Sequence, residues 1–154
     1  QEHLAGEKTF IDWAGQTLTW TDPNTGEDRP AFLFVAVLGA SDYTFAESFP
    51  DQQLPHWTEA HIHAFEFYGG VSRLLVPDNT RTAVTKPCYY EPEVHPTYEE
   101  MARHYSTAVL PTRTYAPRDK AKVESAVLNA ERRIIDALRD HTFFSVAEIN
   151  TAIK

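Results

Sequence analysis

The sequence predicts a single α/β domain in which three antiparallel strands precede alternating helices and strands. Two patterns support this prediction. Apolar and alternating runs of strand length fill the first third of the 154 residues, whereas apolar residues recur at helical spacing from residue 55 onward. The 42% hydrophobic and 12% aromatic content suffices for one core, and the length is short for two ordinary domains.

The first predicted strand covers residues 7–13 and 16–21, with Gly15 as a bulge between its two parts. Residues 31–38 form an apolar run typical of a strand that is buried on both faces. Residues 43–49 follow after a short turn and supply the third strand. Short connections between consecutive strands favour antiparallel pairing.

Helices and strands alternate after this meander. Pro55 begins a helix of amphipathic spacing, and the glycine pair that starts at Gly69 ends it. A strand is predicted at residues 73–76. A capping box at residues 97–100 then predicts a short helix that continues to His104 and leads into a strand at residues 108–110.

The longest predicted helix covers residues 118–139, with Asp119 as its N-cap. Its apolar stripe comprises Val123, Val127, Ala130, Ile134, Ala137 and Leu138. A further capping box at residues 145–148 begins a last short helix. Residues 83–96 hold three of the ten prolines and predict a loop. Because the chain ends about two turns into its last helix, we expect a fragment of a longer protein.

The chain carries a formal net charge of −8, which argues against a self-sufficient DNA-binding domain. Affinity for DNA comes largely from Lys and Arg side chains that displace counterions. The single cysteine, Cys88, excludes an intramolecular disulfide, and no leader sequence is recognisable, so we expect a cytoplasmic protein. The longest apolar run, residues 31–38, falls well short of the roughly 20 residues of a membrane span, so we expect no membrane partner.

Three carboxyl groups occupy positions at which packing does not use them. Asp12 interrupts the apolar run of residues 10–14, Asp78 follows a predicted strand, and Glu124 lies at the rim of a helix stripe. An unpaired charge that faces a core is costly, and a divalent metal ion is the partner that three convergent acids best suit. The pattern is typical of a metal-dependent site that cuts nucleic acid.

Each acid also has a simpler explanation. Asp12 could pair with a buried arginine or with backbone amides, and Asp78 could be a turn residue. Glu124 could complement the helix dipole or pair with Lys120 one turn earlier. The competing carboxylates are Asp42, Glu66 and Asp119.

Five motifs support the metal-site interpretation by their order along the chain. They are FIDWAG at residues 10–15, FVAVLGAS at 34–41, AFEFYGG at 64–70, VPDN at 76–79 and DKAKVE at 119–124. With these motifs the chain resembles the catalytic cores of DDE transposases and retroviral integrases, and most closely the IstA-type transposases of bacterial insertion sequences. The resemblance implies a ribonuclease H-like fold, a mixed five-stranded sheet flanked by helices. It also implies that residues 1–154 are the catalytic core of a longer transposase.

By this resemblance, Asp12, Asp78 and Glu124 are the catalytic acids and hold two Mg²⁺ or Mn²⁺ ions. One site would then serve two reactions. Water attacks at the element end and frees a 3′-hydroxyl, and that hydroxyl then attacks target DNA. The resemblance further implies element-end and target DNA as partners, self-association of the full-length protein, an AAA+ ATPase helper, and a place at the bacterial nucleoid.

One position departs from many integrase-like relatives, which carry a basic residue two helical turns after the glutamate. This chain has Glu131 there. The candidate DNA contacts are therefore residues that flank the acids: Lys120, Lys122 and Asn79.

Two other functions remain open. A ribonuclease H-like nuclease or junction resolvase would cut DNA without joining it, and an assay for strand transfer from a free 3′-hydroxyl would distinguish it. A catalytically inactive integrase-like module would serve only in assembly, and titration with metal would distinguish that one.

Overall fold

The computed structural model describes residues 3–39, 43–77, 84–86, 93–109 and 117–154 as an α/β fold. In chain order its elements are β1 (His3–Thr21), β2 (Asp28–Leu38), β3 (Thr44–Phe49), α1 (Leu54–Tyr68), β4 (Val71–Pro77), β5 (Val84–Lys86), β6 (Glu93–Val94), α2 (Pro96–His104), β7 (Ala108–Val109), α3 (Pro117–Leu138) and α4 (Val146–Ile153). Among the helices of these described residues, none is long and apolar enough to cross a membrane.

The main sheet has five strands in the order β3-β2-β1-β4-β7. Strands β1, β2 and β3 pair antiparallel, whereas β4 and β7 run parallel to β1. This confirms the predicted mixed five-stranded sheet. Strands β5 and β6 form a separate antiparallel pair within residues 83–96, where the sequence predicted only a loop.

Strand β1 is continuous through a bulge. Trp13 pairs with Phe34 of β2, and Thr17 pairs with Phe32, so β1 has three residues between these pairs where β2 has one. The predicted bulge around Gly15 is confirmed. The two predicted parts form one strand because β2 pairs with both of them.

Side chains that alternate along β1 pack against different helices. On what we call the α1 face, odd-numbered residues of β1 join α1 and α2 in a buried cluster that includes Ile11, Trp13, Phe34, Trp57, Ala60 and Tyr98. On the opposite α3 face, even-numbered residues of β1 join α3 in a second cluster of Phe10, Ala14, Leu33, Val35, Val37, Val76, Val127 and Ala130. The sheet is therefore covered on both faces beside the middle of β1.

Helix α1 agrees with the sequence prediction at both ends to within one residue. It begins at Leu54 with Pro55 in its first turn, and it ends at Gly69, which adopts a φ of 71°. Glycine takes this left-handed conformation without steric cost. The Gly69 N–H donates to the carbonyl of Phe65 at 3.0 Å, which satisfies the last turn.

Two predicted helix caps are wrong. Helix α2 begins at Pro96, and the His95 side chain is the cap, because its Nδ1 accepts the Thr97 N–H at 3.2 Å. Proline suits the first helical position because it has no N–H to satisfy and its φ is already helical, so the helix starts upstream of the predicted box. Helix α3 begins at Pro117, which places Asp119 inside the first turn rather than at the N-cap.

The buried stripe of α3 differs in part from the prediction. Ile135 is buried, whereas Ala137, which the sequence placed in the stripe, is exposed. Ala137 precedes the buried Leu138 by one residue, and consecutive helical residues point about 100° apart. Ile135 and Leu138 pack in a third cluster with Leu18 of β1.

Side-chain hydrogen bonds stabilise helix α4 near both of its ends. Its predicted capping box is confirmed, since Ser145 Oγ accepts the Glu148 N–H and the Glu148 carboxylate accepts the Phe144 N–H, both at 3.1 Å. Farther along, the Asn150 amide accepts the Ser48 N–H at 2.6 Å and donates to the Ser48 carbonyl at 3.1 Å. The amide thereby takes the place of a strand partner at the outer edge of β3.

Candidate functional site

Asp12 lies on β1, the central strand of the sheet, and its side chain is half-buried. Its chain neighbours Ile11 and Trp13 are 1% and 7% exposed and pack on the α1 face. Because successive strand residues point to opposite faces, this packing directs Asp12 to the other side. The apolar neighbours thus fix the orientation of the carboxyl group.

Strand pairing independently places Asp12 on the α3 face. Asp12 lies directly opposite Val35 of β2, and opposite residues of an antiparallel pair share a face. Val35 is fully buried in the cluster that contains Phe10, Ala14 and Val127. Asp12 is therefore a carboxyl group among apolar side chains beside α3.

The Asp12 carboxylate has a local backbone partner. Its Oδ1 accepts the N–H of Trp13 at 2.8 Å. Such a bond holds the carboxylate close to the strand. It uses only part of the carboxylate's hydrogen-bonding capacity, because an ionised carboxylate has about four acceptor positions. The backbone-amide explanation for Asp12 is thus correct for one bond, and that bond is compatible with a ligand role.

The remaining predicted site residues lie outside the described part of the structure. Asp78 and Asn79 fall in an undescribed segment. Glu124, Lys120 and Lys122 belong to α3, but their side chains are undescribed. Within the described residues, no group of three or more His, Cys, Asp or Glu side chains is placed to hold a metal ion. The acid triad and the DNA contacts therefore stay predictions.

Glu131 is a buried acid of α3 whose partner the sequence did not reveal. It is only 5% exposed, and its Oε1 accepts the N–H of Gln16, inside the β1 bulge, at 2.7 Å. An acid within the apolar stripe of α3 was the available signal. Its partner is 115 residues away in sequence, so spacing alone could not identify it.

The histidines of α1 have protein partners. His61 is 1% exposed, and its Nδ1 lies 2.7 Å from the Trp57 carbonyl, which can only accept, so Nδ1 carries the proton. Its Nε2 then accepts the Tyr98 hydroxyl at 2.9 Å. Burial lowers the pKa of His61 to about 4, partly opposed by the bond to Trp57. His63 instead lies 2.7 Å from Glu47 of β3. These side chains connect α1 to α2 and to the sheet.

The chain is similar over nearly its whole length to part of several insertion-sequence proteins. It is 52% identical over 153 residues to "Putative transposase y4uI" of Sinorhizobium fredii, with 99% of this chain and 30% of that protein covered. It is 48% identical over 153 residues to "Putative transposase for insertion sequence IS1162" of Pseudomonas fluorescens, with 99% and 27% covered. The chain thus spans less than a third of these curated relatives. No protein-family model matches it.

Solved structures of viral proteins share the fold. The catalytic core domain of BIV integrase superposes with a TM-score of 0.57 at 15% identity, over 93% of this chain and 78% of that one. A chain of the simian T-cell lymphotropic virus intasome, solved in complex with the PP2A regulatory subunit B56 gamma, superposes with a TM-score of 0.56 at 12% identity, over 92% and 46%. The predicted ribonuclease H-like, integrase-core fold is confirmed.

Proposed function

We propose that this chain is the DDE catalytic core of an IstA-type transposase that cleaves element ends and joins them to target DNA. The observation that carries the proposal is Asp12, which lies on the central strand and is directed by its neighbours toward α3. The match to insertion-sequence transposases over 99% of the chain supports the reaction class. The integrase-core fold supports the same class.

The pairing of β4 with β1 supports a place for Asp78 beside Asp12. Pro77, the last described residue of β4, pairs with Ile11 in parallel register, and consecutive Cα atoms are about 3.8 Å apart. Val76 belongs to the α3-face cluster, and strand residues two apart share a face. We therefore propose that Asp78 lies at the level of Asp12 and on the same face.

Helix α3 runs along β1 in the same direction as the strand. At the middle of α3, Val127 packs with Phe10 and Ala14, whereas at its end Leu138 packs with Leu18. Residues earlier in α3 therefore lie beside earlier residues of β1.

This direction supports a place for Glu124 at the level of Asp12. Glu131 contacts Gln16, and Glu124 precedes Glu131 by seven residues, which is about 10 Å along a helix. Asp12 precedes Gln16 by four residues, which is about 13 Å along an extended strand and less through a bulge. Helix residues seven apart share a face, because seven residues are nearly two full turns, so we propose that Glu124 points to the same side of α3 as Glu131.

The donor set fits a hard divalent cation. Mg²⁺ and Mn²⁺ prefer carboxylate oxygen, and Asp12 supplies one beside the apolar cluster of the α3 face. When bound, two such ions would activate the attacking oxygen and neutralise charge on the leaving oxygen. Asp12, Asp78 and Glu124 would hold them, and the apolar cluster around Asp12 would limit how far its carboxylate can move.

The reaction that we propose has two balanced steps and no covalent enzyme intermediate. In the first, water attacks a phosphorus atom at the element end, and the bond to the 3′-oxygen breaks to leave a 3′-hydroxyl. In the second, this hydroxyl loses its proton and attacks a phosphorus atom of target DNA. The new phosphodiester bond forms as the bond from that phosphorus to the 3′-oxygen of the target strand breaks, and this oxygen takes up a proton and leaves as a hydroxyl.

We further propose partners for the full-length protein. Element-end and target DNA would contact Lys120, Lys122 and Asn79 near the acids. Because the chain carries a net charge of −8, most DNA affinity would come from other parts of that protein. Likeness to a chain of a viral intasome supports self-association. An AAA+ helper ATPase and a place at the bacterial nucleoid follow only from the IstA-type resemblance.

The decisive experiment uses the full-length transposase with labelled element ends and target DNA. Asp12→Asn, Asp78→Asn and Glu124→Gln should each reduce both 3′-end cleavage and strand transfer by several orders of magnitude. Glu66→Gln, a change at an exposed helical position, is the matched control and should retain activity. Wild-type cleavage without joining would favour a nuclease or resolvase. Absence of both reactions, together with no Mn²⁺ binding, would favour an inactive assembly module.

A further inference from the structure

Gln16 lies in the bulge of β1, where the pairing with β2 is out of register. Its backbone N–H donates to a buried acid of α3, Glu131. The register shift lies between Trp13 and Thr17, and within it the Gln16 N–H donates to Glu131 Oε1 at 2.7 Å. The bond joins the central strand to α3. It lies four residues after Asp12 on the strand and seven residues after Glu124 on the helix.

Stability alone does not require an acid at this position. Gln16 and Gly15 are exposed, so water can satisfy the Gln16 N–H if Glu131 is removed. Burial of a carboxylate is costly, and replacement of buried charged groups by apolar residues of similar volume is often neutral or stabilising. A short bond to a carboxylate does, however, fix geometry more strongly than a neutral one. The contact therefore restricts position more than it contributes to stability.

We propose that Glu131 is a positioning residue for the metal site: by accepting the Gln16 N–H, it fixes α3 on the β1 bulge and holds Glu124 at the level of Asp12. This inference rests on the proposed function. Without the bond, α3 remains attached by Val127 and its apolar neighbours, which permit small rotations and shifts along the strand. Shifts of this size matter because metal ligands must meet within narrow distances.

The test is a pair of variants, Glu131→Gln and Glu131→Met, which resemble glutamate in length. Only glutamine keeps an oxygen that can accept the Gln16 N–H. Mn²⁺ affinity is measured by calorimetric titration of the 154-residue chain, and exchange of the Gln16 amide proton is followed by NMR. Glu131→Gln should keep affinity within about twofold and keep the amide protected. Glu131→Met should bind Mn²⁺ about tenfold more weakly, at the lower end of the effect of residues that orient metal ligands.

The outcomes separate this inference from the proposed function. Wild-type Mn²⁺ affinity in Glu131→Met, with binding lost in Asp12→Asn, would overturn the positioning role and leave the metal site intact. Equal weakening by both Glu131 variants would also overturn it, because the hydrogen bond would then be irrelevant. Unchanged Mn²⁺ binding in Asp12→Asn would instead overturn the proposed metal site, and the role of Glu131 with it. A metal-free thermal unfolding scan of each variant confirms that the folded fractions match.

Discussion

The buried polar side chains on the two faces of β1 have different hydrogen-bond partners. On the α1 face, the buried His61 accepts the Tyr98 hydroxyl and donates to the Trp57 carbonyl, beside an aromatic cluster. On the α3 face, the carboxyl groups of Asp12 and Glu131 accept backbone N–H groups of β1 itself. Adjacent residues of one strand thus point toward two different environments.

This difference assigns separate tasks to the two faces. Neutral groups that satisfy one another inside a core add stability and specify packing. Carboxyl groups beside apolar neighbours add little stability and are the ligands that a divalent cation needs. We therefore expect changes to the buried aromatic and polar side chains of the α1 face to destabilise the protein. Changes to Asp12 or Glu131 on the α3 face should alter metal binding in a protein that stays folded.

The largest expected effect is that of Trp57→Ala on the α1 face. Trp57 is fully buried, and its ring lies 5.8, 5.5 and 5.6 Å from those of Trp13, Phe34 and Tyr98. Removal of this side chain should lower the free energy of unfolding by about 3–5 kcal/mol. Urea denaturation measures the loss. A loss below 1 kcal/mol would show that the packing of the aromatic cluster between α1 and the sheet contributes little to stability.

The second expected effect is a dependence of stability on pH that comes from His61. Burial lowers the pKa of folded His61 to about 4, whereas the unfolded residue titrates near 6.5. Above pH 6.5 both states are neutral at His61, so its contribution is complete. Between pH 6.5 and about 4 only the unfolded state binds the proton, and stability falls. The shift corresponds to about 3 kcal/mol, with no further loss from this group at lower pH.

The control for this pH dependence is His61→Asn, which keeps a donor near the Nδ1 position but does not titrate. Urea denaturation at several pH values should give a shallower slope for the variant between pH 6.5 and 4. The hydroxyl of Tyr98 stays protonated over this range, because the ordinary pKa of tyrosine is about 10 and burial raises the pKa of Tyr98 further. Equal slopes in the two proteins would mean that other groups cause the acid sensitivity.

Tyr98→Phe should have a smaller effect on the same face. The change leaves His61 Nε2 buried without its 2.9 Å donor, and an unsatisfied buried acceptor costs about 1–3 kcal/mol. Tyr43→Phe is the matched control, because Tyr43 is 53% exposed and should change stability by less than about 0.5 kcal/mol. If both variants lost the same amount, the His61–Tyr98 bond would contribute nothing of its own.

The elements that the sequence predicted well are those with strong local signals. The apolar runs that became β2 and β3 and the glycine that ends α1 each act through nearby residues. The predicted N-caps of α2 and α3 were wrong because two sequence signals lie close together. One is a Thr or Asp that matches a cap pattern, and the other is a proline just upstream that suits the first helical position. Proline prevailed, since it cannot serve as an interior donor.

A residue of the candidate site could be predicted only where its immediate chain neighbours distinguish it. Asp12 stands out because its chain neighbours are apolar, and the structure directs it to the α3 face. Glu131 and Asn150 act on backbone groups 115 and 102 residues away, and no local pattern specifies such bonds. The sequence could flag Glu131 as unusual in an apolar stripe, but its partner depends on how α3 lies on the sheet.

The smallest expected effect on stability, and the sharpest test of the contrast between the faces, is Asp12→Asn. Asparagine keeps the size of the side chain and an oxygen for the Trp13 N–H, so metal-free stability should change by less than about 0.5 kcal/mol. Metal should separate the two proteins. At an Mn²⁺ concentration of 100 times its Kd, binding should stabilise the folded wild type by about 2.7 kcal/mol, and the variant should gain almost none of this. Thermal unfolding with and without Mn²⁺ measures both quantities, with Glu66→Gln as the exposed control. A large metal-free loss would mean that Asp12 is a structural residue like those of the α1 face, and the two faces would then not differ in task.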